Sequence, residues 1–384
     1  MGTLSYVLIT PYTVAKSRTG GVIARLLSRA HGLELAGAQM VEPDAAFARD
    51  YAELLRRQAK PNPSALAAYV ETRFAPRPES PRRALLLLFK GEDVCAKLTQ
   101  VCGRLYREHR GADDIEGETI RDTYADLIVS KADAEKFDYF EPAILTPRTD
   151  ADARDDLTLF ARLLKGAGNL IENIPLPPGE KRERTLIIIK PDNWSYASAR
   201  PGEIIDMFSQ TGLKIIGVKV STLSLEQALE FYGPVEAVLR EKLAPLFGRK
   251  ARELLEREFS LPLNAEVEKA LCESFGAAYA RDQFYQIVDF MSGHRPDRPD
   301  SHPVKCMIVV YEGADAVRKI RGVLGPTDPA KAPAGTIRRE FGSSVMVNAA
   351  HASDSAESFQ REQAIVRIGE NPSLRFIEEY LGRC

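Results

Sequence analysis

The chain has 384 residues, enough for two domains with cores of their own, since single domains usually run to roughly 100–200 residues. With 44% hydrophobic residues, 28% charged residues and a formal net charge of -2, it lacks the excess charge that draws a protein to nucleic acid or an anionic membrane. Small molecules are therefore the expected partners. No apolar run approaches about 18 residues and no basic segment leads into one at the start, so no membrane span or secretion is expected. The five cysteines are scattered without a C-x-x-C pair, which argues against a disulfide framework or a zinc site and for a reducing cytoplasm.

In chain order, YVLITPYTV reads as a strand, and GGVIARLLSRAHG as a helix closed by Gly32. LELAGAQMV follows as a second strand and AFARDY as the start of a second helix. RALLLLFKG and DVCAKLTQVCG add a third strand and a helix, and ADLIVSKADA is taken as the last strand. Next comes IPLPPGEKRER, where Pro175, Pro177, Pro178 and Gly179 disfavour regular structure, so the domain boundary is placed there.

The pattern then starts again. RTLIIIKPD, GEIIDMFSQTGLKIIGVKV and LEQALEFY repeat strand, helix, strand and helix, and CMIVVYEGADAVRKIRGVLG repeats the third strand with its helix. Leu186 to Ile189 and Met307 to Val310 suit buried strands, while Ile204, Ile205 and Phe208 sit at helical spacing before Gly212. Each copy is βαββαβ, so the expected fold is α+β: two tandem ferredoxin-like domains over 1–170 and 183–384, each a four-stranded antiparallel sheet with helices on one face. Residues 234–281 read as a helical insertion in the second copy, with Val235, Val238, Leu239, Leu243, Leu246, Val267, Leu271 and Phe275 at helical spacings.

One stretch of the second copy has chemistry that the first lacks. Asn348 and His351 precede Ser353, Asp354 and Ser355; Lys190 ends an apolar strand as IKPD; Arg321, Thr327 and Arg338 fall between. A cluster of Lys and Arg is what phosphoryl transfer needs, because its rate comes from placing positive charge and donors around the phosphates. A neutral imidazole is nucleophilic near pH 7, and its phosphoramidate can pass the group onward. Asp354 with Glu357 is expected to open a helix as a capping box, setting His351 just before a helix N-terminus. No P-loop motif is present.

These residues, in this order, resemble the nucleoside diphosphate kinase family over about Arg184 to Gly382. The resemblance implies a phosphohistidine at His351, oriented by Glu362 with support from Ser353. It implies that Lys190 and Asn348 meet the sugar 3'-hydroxyl region, that Lys190 and Tyr232 reach the transferred phosphate, and that Arg321, Thr327 and Arg338 bind the inner phosphates. Phe284 and Val345 would sandwich the base. Magnesium is expected on the substrate phosphates with few or no protein ligands, and nucleoside di- and triphosphates are the expected partners.

Aligned on the motif, Thr10 replaces Lys190, Thr99 replaces Arg321 and Ala134 replaces His351, whereas Tyr51 and Arg121 match Tyr232 and Arg338. The first copy is therefore read as a degenerate domain, and either a homo-oligomer or an intrachain pseudo-dimer is expected. The competing reading is a non-catalytic nucleotide-binding regulatory or scaffold protein. Retention of His351, Glu362, Lys190, Arg321 and Arg338 favours the enzyme.

Overall fold

The structure is a computed structural model and describes residues 3–58, 63–76, 82–105, 117–131, 136–172 and 174–382. Its strands are β1 (Thr3–Ile9), β2 (Leu33–Val41), β3 (Ala84–Gly91), β4 (Asp126–Val129), β5 (Phe137–Glu141), β6 (Ile144–Leu145), β7 (Glu183–Ile189), β8 (Lys214–Ser221), β9 (His294–Arg295), β10 (Arg298–Ser301), β11 (Cys306–Gly313) and β12 (Ala350–Ala352). Two four-stranded sheets result, ordered β2-β3-β1-β6 and β8-β11-β7-β12. The order is the same in both, and the strand pairings described are antiparallel. The tandem ferredoxin-like α+β architecture expected from the sequence is thus the one observed. Central strands such as Leu186–Ile189 and Leu85–Phe89 are buried at every position. Both faces of each sheet are therefore covered, which is why these strands read as continuous apolar runs rather than alternating ones.

The repeat extends to backbone details. Gly91 and Gly313, Asp93 and Asp315, Gly103 and Gly325, and Ala143 and Ala349 hold matching positive φ angles, with Ala143 at 65° and Ala349 at 69°. Arg121 donates to the carbonyls of Gly103 and Ile144, and Arg338 to those of Gly325 and Ala350.

This register corrects one expectation. His351 pairs with Ile188 in β7, and the residue pairing with the equivalent Leu8 in β1 is Leu145. Ala134 lies outside the described residues. The segment taken as the last strand of the first copy instead supplies β4, which forms a separate two-stranded ribbon with β5. The true fourth strand is only two residues long, too short to leave a periodic signal.

By compactness the chain divides around the helical segment rather than at the Pro-rich linker. One unit comprises residues up to Val220, Met307–Gln363 and the residues from Arg367 onward; the other is Ser221–Cys306 with Ala364–Val366.

Within the first unit the helices Thr19–Arg29 and Arg200–Ser209, equivalent in the two copies, pack on each other. The contact is reciprocal. A Cβ on Gly20 would lie 2.3 Å from the Asp206 amide nitrogen, and one on Gly202 would lie 2.1 Å from that of Ala24. Gly20 and Gly202 are equivalent positions, as are Ala24 and Asp206, so the copies meet as the two halves of an isologous dimer would. Asn371 lies between the sheets and donates to the equivalent carbonyls of Ala38 and Val218. The C-terminal helix Ser373–Leu381, which the sequence reading assigned to the second copy, packs on the core of the first through Ile377.

The second unit holds the helical insertion. Helix Leu225–Phe259 runs through Pro234 and Pro245, and the chain returns through Ala265–Leu271, a π-turn at Cys272–Gly276 and Ala277–Ser292. At the crossing a Cβ on Gly276 would lie 2.0 Å from the Ala244 carbonyl oxygen. That close approach requires glycine.

Candidate active site

His351 is the middle residue of β12, an edge strand on β7. Its side chain is 23% exposed, and its Nε2 lies 3.0 Å from Glu362 Oε2. Ser353 Oγ donates to the same Oε2 at 2.7 Å. Glu362 comes from helix Ala356–Ile365, two turns into it, where its side chain reaches back to the strand. The cap of this helix differs from the expected one. Ser355 Oγ accepts from the Ser358 amide at 3.1 Å, while Asp354 accepts from the Ser358 hydroxyl. The hydroxyl of Ser358, with Arg321 and His351 nearby, holds the Asp354 carboxyl below its usual range despite burial.

A carboxylate only accepts hydrogen bonds. The Nε2 facing Glu362 therefore carries the proton, and in the neutral ring the lone pair belongs to Nδ1. Ser353 is fully buried and fixes the carboxylate in turn. This chain of contacts selects one tautomer and one ring orientation, as an outer partner does for a working histidine.

Immediately before the strand, Ala349 adopts φ 69°, a left-handed conformation costly for alanine, on the order of 1–3 kcal/mol. Its carbonyl accepts from the Lys190 amide at 3.0 Å and from Asn193 Nδ2 at 2.8 Å. Ala143, in the copy without a histidine, has the same conformation, and its carbonyl accepts from the Thr10 amide at 3.1 Å. The strain thus belongs to the architecture of the strand entry rather than to the chemistry.

Lys190, at the end of β7, donates to Asn348 Oδ1 at 2.6 Å and to the Met346 carbonyl at 3.1 Å. Asn348 Nδ2 donates in turn to the carbonyls of Thr327 at 3.0 Å and Val345 at 2.7 Å. One buried amide therefore gathers three loops. Arg338 reaches the carbonyl of Ala350, next to His351, and Arg321 and Thr327 are exposed. The first unit thus brings together Lys190, Arg338, Asn348, His351, Ser353 and Glu362. Val345 is 59% exposed and offers an apolar surface. Tyr232 and Phe284 belong to the second unit. Phe284 is only 2% exposed, so its ring has no open face for a base to stack on, and the expected sandwich is not built from it.

Burial, with Arg338 next, pushes the Lys190 ammonium down to about 8, against a smaller opposing pull from Asp192. The charged form prevails below that value and is lost above it. The hold of Lys190 on any anionic ligand is therefore expected to weaken as pH rises from 7 to 9.5, with the bend near 8; a flat binding profile would show that Lys190 meets no such ligand. The effect on stability has the opposite sense. The folded value lies below the ordinary 10.5, so the cost of burying the charge is full below about 8 and is relieved between 8 and 10.5.

The first copy holds different residues at the equivalent positions. Thr10 stands at the place of Lys190 and its hydroxyl lies 3.0 Å from that of Thr13. Asp156 occupies the helix position of Glu362, counted from the caps Thr149 and Ser355. It accepts from Tyr6 and Gln58, both at 2.7 Å. Tyr6, Tyr51 and Leu145 are part of a continuous apolar core. The carboxylate survives at that position, but it now serves packing. Neither Asp156 nor Leu145 could be found from sequence alone, because locating them requires the strand register.

The sequence profile described as "Nucleoside diphosphate kinase" matches residues 183–242 and 263–368. The stretch it leaves unmatched, 243–262, is narrower than the insertion read from the sequence. A nucleoside diphosphate kinase from Halorhodospira halophila is 34% identical over 180 residues, covering 47% of this chain and 89% of the relative. One from Chlamydia pneumoniae is 35% identical over 176 residues, covering 46% and 84%. Among solved structures, an orthorhombic crystal form of the Aquifex aeolicus nucleoside diphosphate kinase is 30% identical and covers 48% of this chain and 95% of that one, with a TM-score of 0.31.

Proposed function

The chain belongs to the nucleoside diphosphate kinase family, and from that premise we propose that its second copy transfers the terminal phosphate of a nucleoside triphosphate to a nucleoside diphosphate through His351. The observation that carries this reading is the contact chain Ser353–Glu362–His351, which holds Nε2 and directs the Nδ1 lone pair to the nucleophilic role. In the first half-reaction Nδ1 attacks the terminal phosphorus, the P–N bond forms, and the bond to the bridging oxygen breaks. Its electron pair leaves on the nucleoside diphosphate. In the second half-reaction an acceptor diphosphate oxygen takes the group from Nδ1 and the imidazole is restored.

Lys190 and Asn348, already joined at 2.6 Å, are assigned to the sugar 3'-hydroxyl region, and Lys190 with Tyr232 to the transferred group. Arg321, Thr327 and Arg338 are assigned to the inner phosphates, and Val345 to the base. Each assigned cation is worth most where water is excluded, and Lys190 and Arg338 are both buried. Cationic side chains repel a divalent ion and bind phosphate oxygens, and the Asn348 amide oxygen is taken by Lys190 at 2.6 Å. The residues around His351 therefore fit magnesium carried in on the nucleotide, where it would neutralise phosphate charge.

Labelling with ATP bearing a radioactive terminal phosphate tests the reading. A protein-bound phosphate that is labile in acid, stable in base and chased by GDP is expected. A protein that stays unlabelled at enzyme-stoichiometric sensitivity would leave only nucleotide binding.

The first copy is assigned the place of a second subunit within the chain. This is supported by the reciprocal packing around Gly20 and Gly202. The helix surface that would join two chains is covered by the chain's own partner helix. Light scattering is expected to show no dimer that dissociates when Gly202→Leu is introduced; that variant should instead lower the melting temperature of the single chain. A dimer that Gly202→Leu breaks would refute the assignment.

A further inference from the structure

Residues 342–347 form a short loop between the helix Ile337–Phe341, which carries Arg338, and Asn348. The loop closes on itself. The Ser343 and Ser344 amides donate to the Val347 carbonyl at 2.8 and 3.1 Å, and the Val347 amide donates to Ser344 Oγ at 3.0 Å. Residues 343–345 are exposed, Val345 among them. Such a turn keeps its shape from within but takes its position from its two ends, because few buried contacts hold its middle.

One end is fixed at Asn348, which is held by Lys190 and in turn holds the Thr327 and Val345 carbonyls. The other end is met by Arg200, the first residue of helix Arg200–Ser209. Its Nη2 donates to the Phe341 carbonyl at 2.6 Å, across 141 positions of sequence, and its guanidinium lies 5.6 Å from the centre of the Phe341 ring. The same Nη2 stands 3.8 Å from Asp192 Oδ2. Asp192 belongs to the turn Pro191–Asn193 that directly follows Lys190, and its side chain is 9% exposed. Burial pushes its carboxyl above the usual range, while Lys190 and Arg200 pull it down. One side chain thus ties the turn after Lys190 to the start of the loop. A planar guanidinium suits that place, since it can bond a carbonyl, lie over an aromatic ring and face a carboxylate at once.

We propose that Arg200 is a positioning residue for the nucleotide, which through Phe341 holds the loop so that Val345 presents its apolar surface next to Asn348. Given Val345 at the base, as the proposed function has it, loss of Arg200 falls on binding rather than on the chemical step.

The test is a double-mutant cycle on ADP affinity, read by calorimetry on the full chain with magnesium. Arg200→Ala is expected to weaken ADP about fivefold or more and to raise KM by a similar factor, with kcat at saturation within about twofold. In a Val345→Ala background the same substitution should cost less than about twofold, because the surface that Arg200 positions is already gone. Arg200→Lys keeps the charge without the planar fork and should fall between wild type and Arg200→Ala; it keeps the cycle readable if the alanine variant does not fold. Additive losses in the double variant, ADP affinity unchanged in Arg200→Ala, a fall in kcat with KM unmoved, or no ADP binding by the wild type would each overturn the proposal. A wild type that binds ADP but forms no phosphoenzyme would instead sink transfer through His351, and the cycle, which reads binding alone, would still decide the role of Arg200.

Discussion

Replacing His351 with alanine is expected to abolish the phosphoenzyme and to lower turnover by about 10⁴-fold or more, the scale seen when a covalent nucleophile is removed. The protein should remain folded. The imidazole sits on an edge strand and is partly exposed, and its loss leaves Glu362 still bonded to Ser353 and within 3.5 Å of Arg361. The Ser353 hydroxyl does not replace the imidazole, since it is buried and donates to Glu362. The measurement is nucleotide exchange together with acid-labile labelling, with circular dichroism confirming the fold. Exchange at more than about a tenth of the wild-type rate would mean that the phosphate passes through another group.

Replacing Arg338 with alanine should lower kcat/KM about a hundredfold or more, as loss of one preorganised donor in a water-excluded site does. The residue also braces the backbone through the carbonyls of Gly325 and Ala350, so truncation has a structural cost as well. The molecule contains its own control. Arg121 makes the same two contacts in the first copy, to Gly103 and Ile144, where no histidine follows. Arg121→Ala is expected to lower the melting temperature about as much as Arg338→Ala while leaving kcat/KM within a few-fold. If both variants lose turnover equally, the effect is one of folding and Arg338 has no direct part in phosphate binding.

Much of the site was legible because its residues lie close in sequence or at the ends of strongly apolar strands. Asn348 to Ser355 forms one local motif, and Lys190 follows a strand that could hardly be anything else. Glu362 follows from the family resemblance, which puts a glutamate in the helix after Ser353–Ser355. What was illegible depended on pairing. The counterpart of His351 in the first copy was misplaced because the hairpin β4–β5 imitates a final strand, whereas the real one, β6, has two residues. Phe284 fails as a base clamp for a similar reason: its ring is buried, and the tertiary environment of an aromatic in a helix is invisible to its spacing. The helix through Pro234 and Pro245 persists although each proline removes a backbone donor, because packing across the antiparallel pair outweighs a local cost of about 3 kcal/mol each.

The amino-acid sequence by itself determined the repeat and the two α+β copies, since these rest on local periodicity, and it singled out His351 as the candidate imidazole through the motif that resembles the family's. Only the tertiary structure decided which nitrogen of His351 Glu362 engages and which residue of the first copy stands in its place. It also decided that the two copies meet helix against helix around Gly20 and Gly202. Those outcomes depend on strand register, on side-chain orientation and, where the copies meet, on contacts between residues more than a hundred positions apart, and a linear pattern carries no term for these.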